Sequence, residues 1–522
     1  MDLQQSFDTT AKVLFGQPIG KLSDFRDYLG EMVLPYQTKK SFLSGKQVMV
    51  SHRFYPKDAK FISQEEIAQL KFQPLSINEI KDIDSLLCAV SERAIYCGNK
   101  LLGENTLVQG VDNCVDCNHV EHSHNVFSIK YGAYLSCLRE CEHVFGVFGF
   151  PRSSFSMRCF DGIGTTRCFE SYYSRELADT YYAFNCVGCS DCIFAFNLRG
   201  KRHTIGNLEL PKDSYLELKK KLVFEMGAQL KKNKRLFSVV DIAYAGRDRK
   251  TIKEDEVLFD SPVPQKVEEA FRKTTKLVLG KELQGIKQFE GWLQKCALTV
   301  KKIKGALGTP TYKVDGLPFA SDIPADRLLT LGEALSFSEK NKISLKAGES
   351  LSLHETLLRV AKIARFSLEF IDGCSENCVD VPTIFTGFDS YKTYDITHSK
   401  YSAYASVAVH SEYIFGGHLR MLYSQFCINC FDSTKLNSCF EVDCSYSCRN
   451  CLFCHNCENL SDCMFCFNAK NLRYAIGNVE VGREGYMRIK GILLAHIQKE
   501  LEEKKRLGLN IFNSGAKSAG SA

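Results

Sequence analysis

The sequence predicts an α+β protein made by tandem duplication. Each copy joins a mixed helical head to a narrow right-handed β-solenoid of about 12 residues per coil, closed by an amphipathic C-terminal helix. Three observations carry this expectation: a lattice of small residues with period three, outward positions that alternate with period twelve, and a repeat of the whole unit.

The lattice is clearest from Cys427, where every third residue is small or apolar: Cys427, Cys430, Ser433, Leu436, Cys439, Val442, Ser445, Cys448, Cys451, Cys454, Cys457, Leu460, Cys463, Cys466, Ala469, Leu472. An equivalent column runs through the first half from Val111, Cys114 and Cys117 to Ala195 and Leu198. Of the 24 cysteines, only Cys88, Cys97, Cys137, Cys296, Cys374 and Cys444 lie off it. A period of three is neither helical nor a plain strand alternation. It fits three-residue sides with only the central residue pointing inward, and cysteine is a compact apolar filler for two walls that nearly touch.

The outward residues set the coil length. Phe169/Tyr172, Tyr181/Phe184 and Ile193/Phe196 recur every twelve residues, and the hexads between them carry Arg175/Ala178, Val187/Ser190 and Arg199/Arg202. One wall is therefore aromatic and the other more polar. About seven or eight coils per copy, stacked at roughly 4.8 Å, would complete each rod. Asn or Asp closes many hexads (Asp179, Asn185, Asp191, Asn197, Asn450, Asn456, Asp462, Asn468), where it tolerates left-handed turns and can form ladders. The aromatic wall needs a cover. Either the two copies bury theirs together, or each uses its own helices.

The duplication spans the chain. Residues 159–215 align without a gap to 430–486 at an offset of 271, and Phe7, Thr10, Lys12, Gly16, Phe25 and Leu29 recur as Phe271, Thr274, Lys276, Gly280, Phe289 and Leu293. The expected divisions are a head (1–104), a solenoid (105–212), a helix and linker (213–264), a second head (265–374), a second solenoid (375–483), a C-terminal helix (484–513) and a small polar, disordered tail (514–522).

At 522 residues with a net charge of +6, composition is that of an ordinary globular protein. No apolar run reaches the length of a membrane span, and the N-terminus lacks a secretory pattern. A cytoplasmic location and reduced thiols are the expectation.

Several constellations could carry chemistry. The Cys-x2-Cys runs (Cys448, Cys451, Cys454, Cys457, Cys463, Cys466; Cys186, Cys189, Cys192) have zinc or iron–sulfur spacing. The same register holds Ser, Val, Ala and Leu elsewhere, so packing is the simpler reading and no cofactor is predicted. Pairs six apart, such as Cys451/Cys457 and Cys186/Cys192, could oxidise. Cys114, Cys117, His119, His122 and His124 suggest a Cys2His2 site, but the lattice turns the cysteines inward and the histidines outward. Cys374 and Cys444 fall at corners, where they could be accessible. No Gly-x-Ser-x-Gly, phosphate-binding loop or His-Glu-x-x-His motif occurs. An enzyme would need a site between head and solenoid, with His52, Arg53, Asp322 and Asp326 as polar candidates. The basic residues Lys219, Lys220, Lys221, Lys231, Lys232, Lys234 and Arg235 could meet nucleic acid, although a solvated helix face explains them as well.

The Cys-Phe-Asp hexads, the closing Ile-Gly-Asn-x-Glu segments (205–209, 476–480), Tyr215 and Tyr486, Phe15-Gly16 and the Phe-Ile-Ser-x-Glu-Glu stretch (61–66) carry a resemblance. The chain resembles the cysteine-rich hexad-repeat proteins of streamlined episymbiotic bacteria and archaea. That resemblance implies a fold and attaches no activity. The functional expectation is a non-enzymatic binding or scaffolding protein with a protein partner and a capacity to self-associate. The alternatives are a metal or thiol-redox protein using the cysteine columns, and an enzyme working between head and solenoid.

Overall fold

A computed structural model describes residues 3–31, 33–121, 123–127, 129–130, 132–133, 141–142, 144–147, 149, 156–158, 160–249, 257–318, 320–346, 348–418, 421–422, 427–428 and 438–515. The protein is α+β, and no helix among these residues is long and apolar enough to cross a membrane.

The repeat regions pair in parallel with partners twelve residues on. Phe160 lies beside Tyr172, Phe169 beside Tyr181, Tyr181 beside Ile193 and Ser190 beside Arg202. Between these strands, Thr166 pairs with Ala178 and Val187 with Arg199. The second copy pairs Thr383 with Asp395, Lys400 with Glu412, Phe440 with Leu452 and Ser461 with Arg473. One residue is inserted before Cys427, which pairs with Ile414 thirteen positions away. Each series ends in a short antiparallel pair, Thr204 with Glu209 and Ala475 with Glu480, which gives the last parallel strand a partner. The helices Lys212–Asn233 and Gly482–Lys504 follow.

The expected hexad closures are half of a finer pattern. From Arg167 to Gly206, and again from Ser438 to Gly477, every third residue has a positive φ. Each three-residue side thus ends in its own left-handed corner, just before an inward residue. Asn and Asp accept this conformation readily. Aromatic residues do not, and each costs about 1 kcal/mol or more. Stacking with the neighbour twelve residues on offsets that cost: Tyr182 and Phe194 have ring centres 5.0 Å apart, and Phe453 and Phe465 5.2 Å. The amides form ladders, Asn113 to Asn125 at 2.8 Å and Asn456 to Asn468 at 3.0 Å.

The inward residues make thin apolar clusters of their own. Cys168, Leu177, Ala183, Cys186, Cys189, Cys192, Ala195 and Leu198 form one. Cys439, Val442, Cys448, Cys451, Cys454, Cys457, Cys463, Cys466 and their neighbours form another. Room is tight, so size should matter more than chemistry. Cys454→Phe is expected to cost about 3 kcal/mol or to prevent folding, and Cys454→Ala only about 1 kcal/mol. Urea unfolding of the two variants measures the difference.

The compact units cut across the sequence repeat. One unit holds residues 1–34, 104–260 and 301–370; the other holds 35–103, 261–300 and 371–522. The heads read from sequence as single pieces (1–104, 265–374) are therefore each divided, and the second part of each joins the strands of the other copy. Equivalent contacts record the exchange. Asn197 donates to the Arg365 carbonyl at 3.0 Å in one unit, and Asn468 to the Ile95 carbonyl at 2.8 Å in the other.

The aromatic wall is covered in the same mixed way. In the first unit Phe169 packs on Phe15 of helix Leu3–Phe15, from its own copy, while Phe184 and Phe196 pack on Phe366, from the other. In the second, Phe440 meets Trp292 and Phe467 meets Tyr96. Sequence periodicity reveals that a cover is needed, but nothing in it says which copy supplies it.

Candidate functional site

The column cysteines whose side chains are described are buried, except Cys378, which is half-exposed. Cys168, Cys186, Cys189, Cys192, Cys439, Cys448, Cys451, Cys454, Cys457, Cys463 and Cys466 are all buried free thiols. Their sulfurs are held against main-chain carbonyls two residues back and nine residues on: Cys457 Sγ lies 3.3 Å from both His455 O and Cys466 O. Burial pushes the thiols of Cys186 and Cys457 up. Some neighbours accept from adjacent thiols and ionise more easily, Cys189 from Cys186 and Cys192, and Cys463 from Cys451 and Cys466. No disulfide joins the pairs six apart, Cys451/Cys457 and Cys186/Cys192, whereas Cys114 and Cys117, three apart, are joined as a disulfide.

A second kind of site was not legible as a motif. Residues twelve apart stack, so strand Phe440–Asp443 places Asp443 directly beside His455 of strand Leu452–His455. His455 Nδ1 lies 2.7 Å from Asp443 Oδ2. The backbone N–H of Cys97, in strand Ile95–Gly98, donates to His455 Nε2 at 3.0 Å. That group can only donate, so Nε2 holds the lone pair and Nδ1 the proton. His455 is therefore neutral and donates to Asp443.

His52 enters just after strand Gln47–Val50 and places Nε2 3.0 Å from Asp443 Oδ1. Cys444 sits in a left-handed corner (φ 45°), which turns its sulfur back to 3.3 Å from Asp443 Oδ1 and 3.9 Å from His52 Nε2. Burial alone would raise the Asp443 pKa, but the charge of His52 and the hydrogen bonds from His455 and His52 hold the carboxyl well below its usual range. His418 lies close by, its ring centre 6.1 Å from that of His52 and its Nδ1 3.1 Å from Ser406 Oγ. Burial of the ring, then His52 and Arg53, push its pKa down to about 3. Phe54 and Phe512 stand against His52.

This centre is enclosed: His52 is 2% exposed, and Asp443, Cys444 and His455 are each 0% exposed. At the repeat offset of 271, the first unit has Tyr172, Tyr173 and Phe184 in place of Asp443, Cys444 and His455. All three are buried. The fold thus accommodates aromatic rings where the second unit has ligating groups.

The first unit has a sealed charge cluster instead. Glu170 takes the Arg158 guanidinium (Nε to Oε1, 2.5 Å), the Tyr172 hydroxyl (2.5 Å) and the Val239 N–H (3.4 Å). Arg158 also lies over the Tyr28 ring at 3.9 Å. The equivalent Glu441 accepts the Ile511 N–H at 2.6 Å, and burial pushes its pKa up to about 8.

The chain matches no family model, no curated protein and no solved structure.

The polar candidates for an enzyme do not converge. His52 and Arg53 fall in one compact unit, Asp322 and Asp326 in the other. Asp326 pairs with Arg247 at 2.5 Å, and the Asp322 carbonyl accepts from Tyr244. Cys374 is exposed, as expected of a corner, but Cys444 is fully buried, because its corner is covered by the segment carrying His52. His124 is 1% exposed, not outward in solvent, since a side chain off the inward column can still be covered by other elements. His122 and the side chain of His119 lie outside the described residues, as do Cys137, Cys159, Cys430 and the side chains of Cys141 and Cys427.

Four of the seven basic candidates are engaged internally. Lys219 binds Asp191 at 2.8 Å, Lys221 the Ser350 hydroxyl at 3.0 Å, Lys234 the Ile19 carbonyl at 3.3 Å, and Arg235 Glu31 at 2.7 Å. Lys220, Lys231 and Lys232 are exposed. His52 was reachable from sequence as a polar residue in the head. The sequence carries no signal that pairs Asp443 with Cys444, because only the twelve-residue pairing register and the exchanged head bring them to His52.

Proposed function

We propose that the chain is a non-enzymatic binding or scaffolding protein built from two fused β-solenoid units of about twelve residues per coil. The main-chain pairing between residues twelve apart, on strands and on the bridges between them, supports the solenoid reading. The observation that carries the functional reading is enclosure. Among the described residues, two buried constellations that could do acid–base or nucleophilic chemistry, His52/Asp443/Cys444/His455 and Arg158/Glu170/Tyr172, are out of reach of a substrate. A catalytic group must reach the reacting atom, or reach it through one water. The column thiols, Cys378 excepted, are likewise enclosed, and act as filler and as weak donors to the carbonyls of adjacent coils.

A cavity of about 300 Å³ in the second unit, lined by Pro56, Asp58, Lys60, Glu92, Tyr96 and Phe512, is open to small groups. It lacks a histidine or cysteine.

Two measurements test the reading. A thiol reagent added to the native chain should react fast with Cys88 and Cys374, the exposed cysteines among the described residues, more slowly with half-exposed Cys378, and with the buried column thiols only after unfolding. Rapid native labelling of Cys451 or Cys457, read by peptide mass spectrometry, would overturn the filler account. For the scaffold itself, cross-linking in native extract should recover a protein in constant ratio to the chain. Recovery of a turned-over small molecule instead would favour an enzyme.

A further inference from the structure

We propose that the second unit holds a closed, mononuclear transition-metal site formed by His52 Nε2, one carboxylate oxygen of Asp443 and the Cys444 thiolate. The three donor atoms form a triangle with edges of 3.0, 3.3 and 3.9 Å. Tetrahedral zinc at ordinary bond lengths requires edges of about 3.3 Å between nitrogen and oxygen and about 3.6 Å to sulfur. The observed triangle differs from that by a few tenths of an ångström, so side-chain adjustment alone closes it around an ion. One imidazole, one carboxylate and one thiolate suit a borderline-soft divalent ion, zinc first, with iron(II) or cobalt(II) as chemical relatives. The fourth position is left to a water molecule.

Two further observations support the assignment. Asp443 is held from behind: His455 donates to its second oxygen, and the Cys97 N–H fixes the His455 tautomer. Ligating carboxylates and imidazoles are oriented by such outer hydrogen bonds. The duplication supplies an internal comparison, because Tyr172, Tyr173 and Phe184 fill the equivalent positions of the first unit. Packing therefore does not demand an aspartate, a cysteine and a histidine here. Binding would release the Cys444 thiol proton and leave a thiolate and a neutral imidazole on the ion. The bond network would tie residue 52, on the exchanged head segment, to the strands of the other copy.

The test uses the full chain, grown with added zinc, desalted and analysed for metal. About one equivalent per chain is expected, and Cys444→Ser and Asp443→Asn should each lower it at least about tenfold. Cys454→Ala, in the column, should leave it unchanged. A chelator should lower the thermal midpoint of the parent chain and not that of Cys444→Ser. If the site variants fail to fold by circular dichroism, cobalt(II) loading of the parent chain decides. A thiolate-to-cobalt charge-transfer band and the visible bands of tetrahedral cobalt support the site; octahedral aqueous cobalt alone overturns it. Less than about a tenth of an equivalent of any transition metal in the parent chain would overturn it too. So would metal lost from Cys454→Ala and kept by both site variants.

Discussion

Replacing Arg158 by methionine is expected to destabilise the first unit by about 3–5 kcal/mol, because it leaves a buried carboxylate without its cation. Arg158 and Glu170 are both fully enclosed and paired at 2.5 Å. Burial already raises the Glu170 pKa; Arg158 and the Tyr172 hydroxyl oppose that shift. Without the guanidinium, the folded pKa of Glu170 rises further above its unfolded value. A carboxyl raised in this way costs nothing below the unfolded pKa, and its cost grows as pH rises toward the folded one. The loss in Arg158→Met should therefore be smallest near pH 4 and grow toward pH 8, by roughly 1.4 kcal/mol per unit of added shift. The double variant Arg158→Met/Glu170→Gln should recover most of the stability and remove the pH dependence. Urea midpoints at several pH values check both statements. An equal loss at every pH would mean that Arg158 acts by packing on Tyr28 and not by charge.

Separating the copies has the larger effect. Expressed alone, residues 1–260 should not yield a folded monomer, and neither should 261–522, because each compact unit draws on both copies. The first half would lack residues 301–370, which supply Phe366 to the aromatic wall and accept from Asn197. The second would lack residues 35–103, which supply Tyr96 and the Ile95 carbonyl. Losing either exposes several buried rings, each worth about 3–5 kcal/mol. Co-expression should restore a soluble 1:1 complex, read by size-exclusion chromatography with light scattering. A stable monomer from either half would show that the exchanged segments are dispensable.

Much of this architecture could be read in advance, and the failures have a common cause. The period of three located the inward residues, since only small side chains fit there. The period of twelve located the pairing register, since like residues stack. The sequence repeat is as plain at Cys159 and Cys430 as at Phe7 and Phe271. Which head covers which strands was not visible, because two copies with similar apolar faces offer either choice the same chemistry. The cluster at His52, Asp443 and Cys444 stayed hidden for that reason. His52 is 391 residues from Asp443 in sequence, and the two meet only through the exchange. Cys444 also fell off the lattice, where a corner position suggested solvent.

The trading of head segments has a consequence for how the two halves can diverge. A chain with a single repeat could complete its core only by swapping arms with an identical molecule. Every substitution would then occur twice, and assembly would depend on concentration. Joined in tandem, the arms find their acceptors at a local concentration fixed by the linker. Each core can then change on its own, and one has come to enclose a guanidinium while the other encloses imidazoles and a thiol.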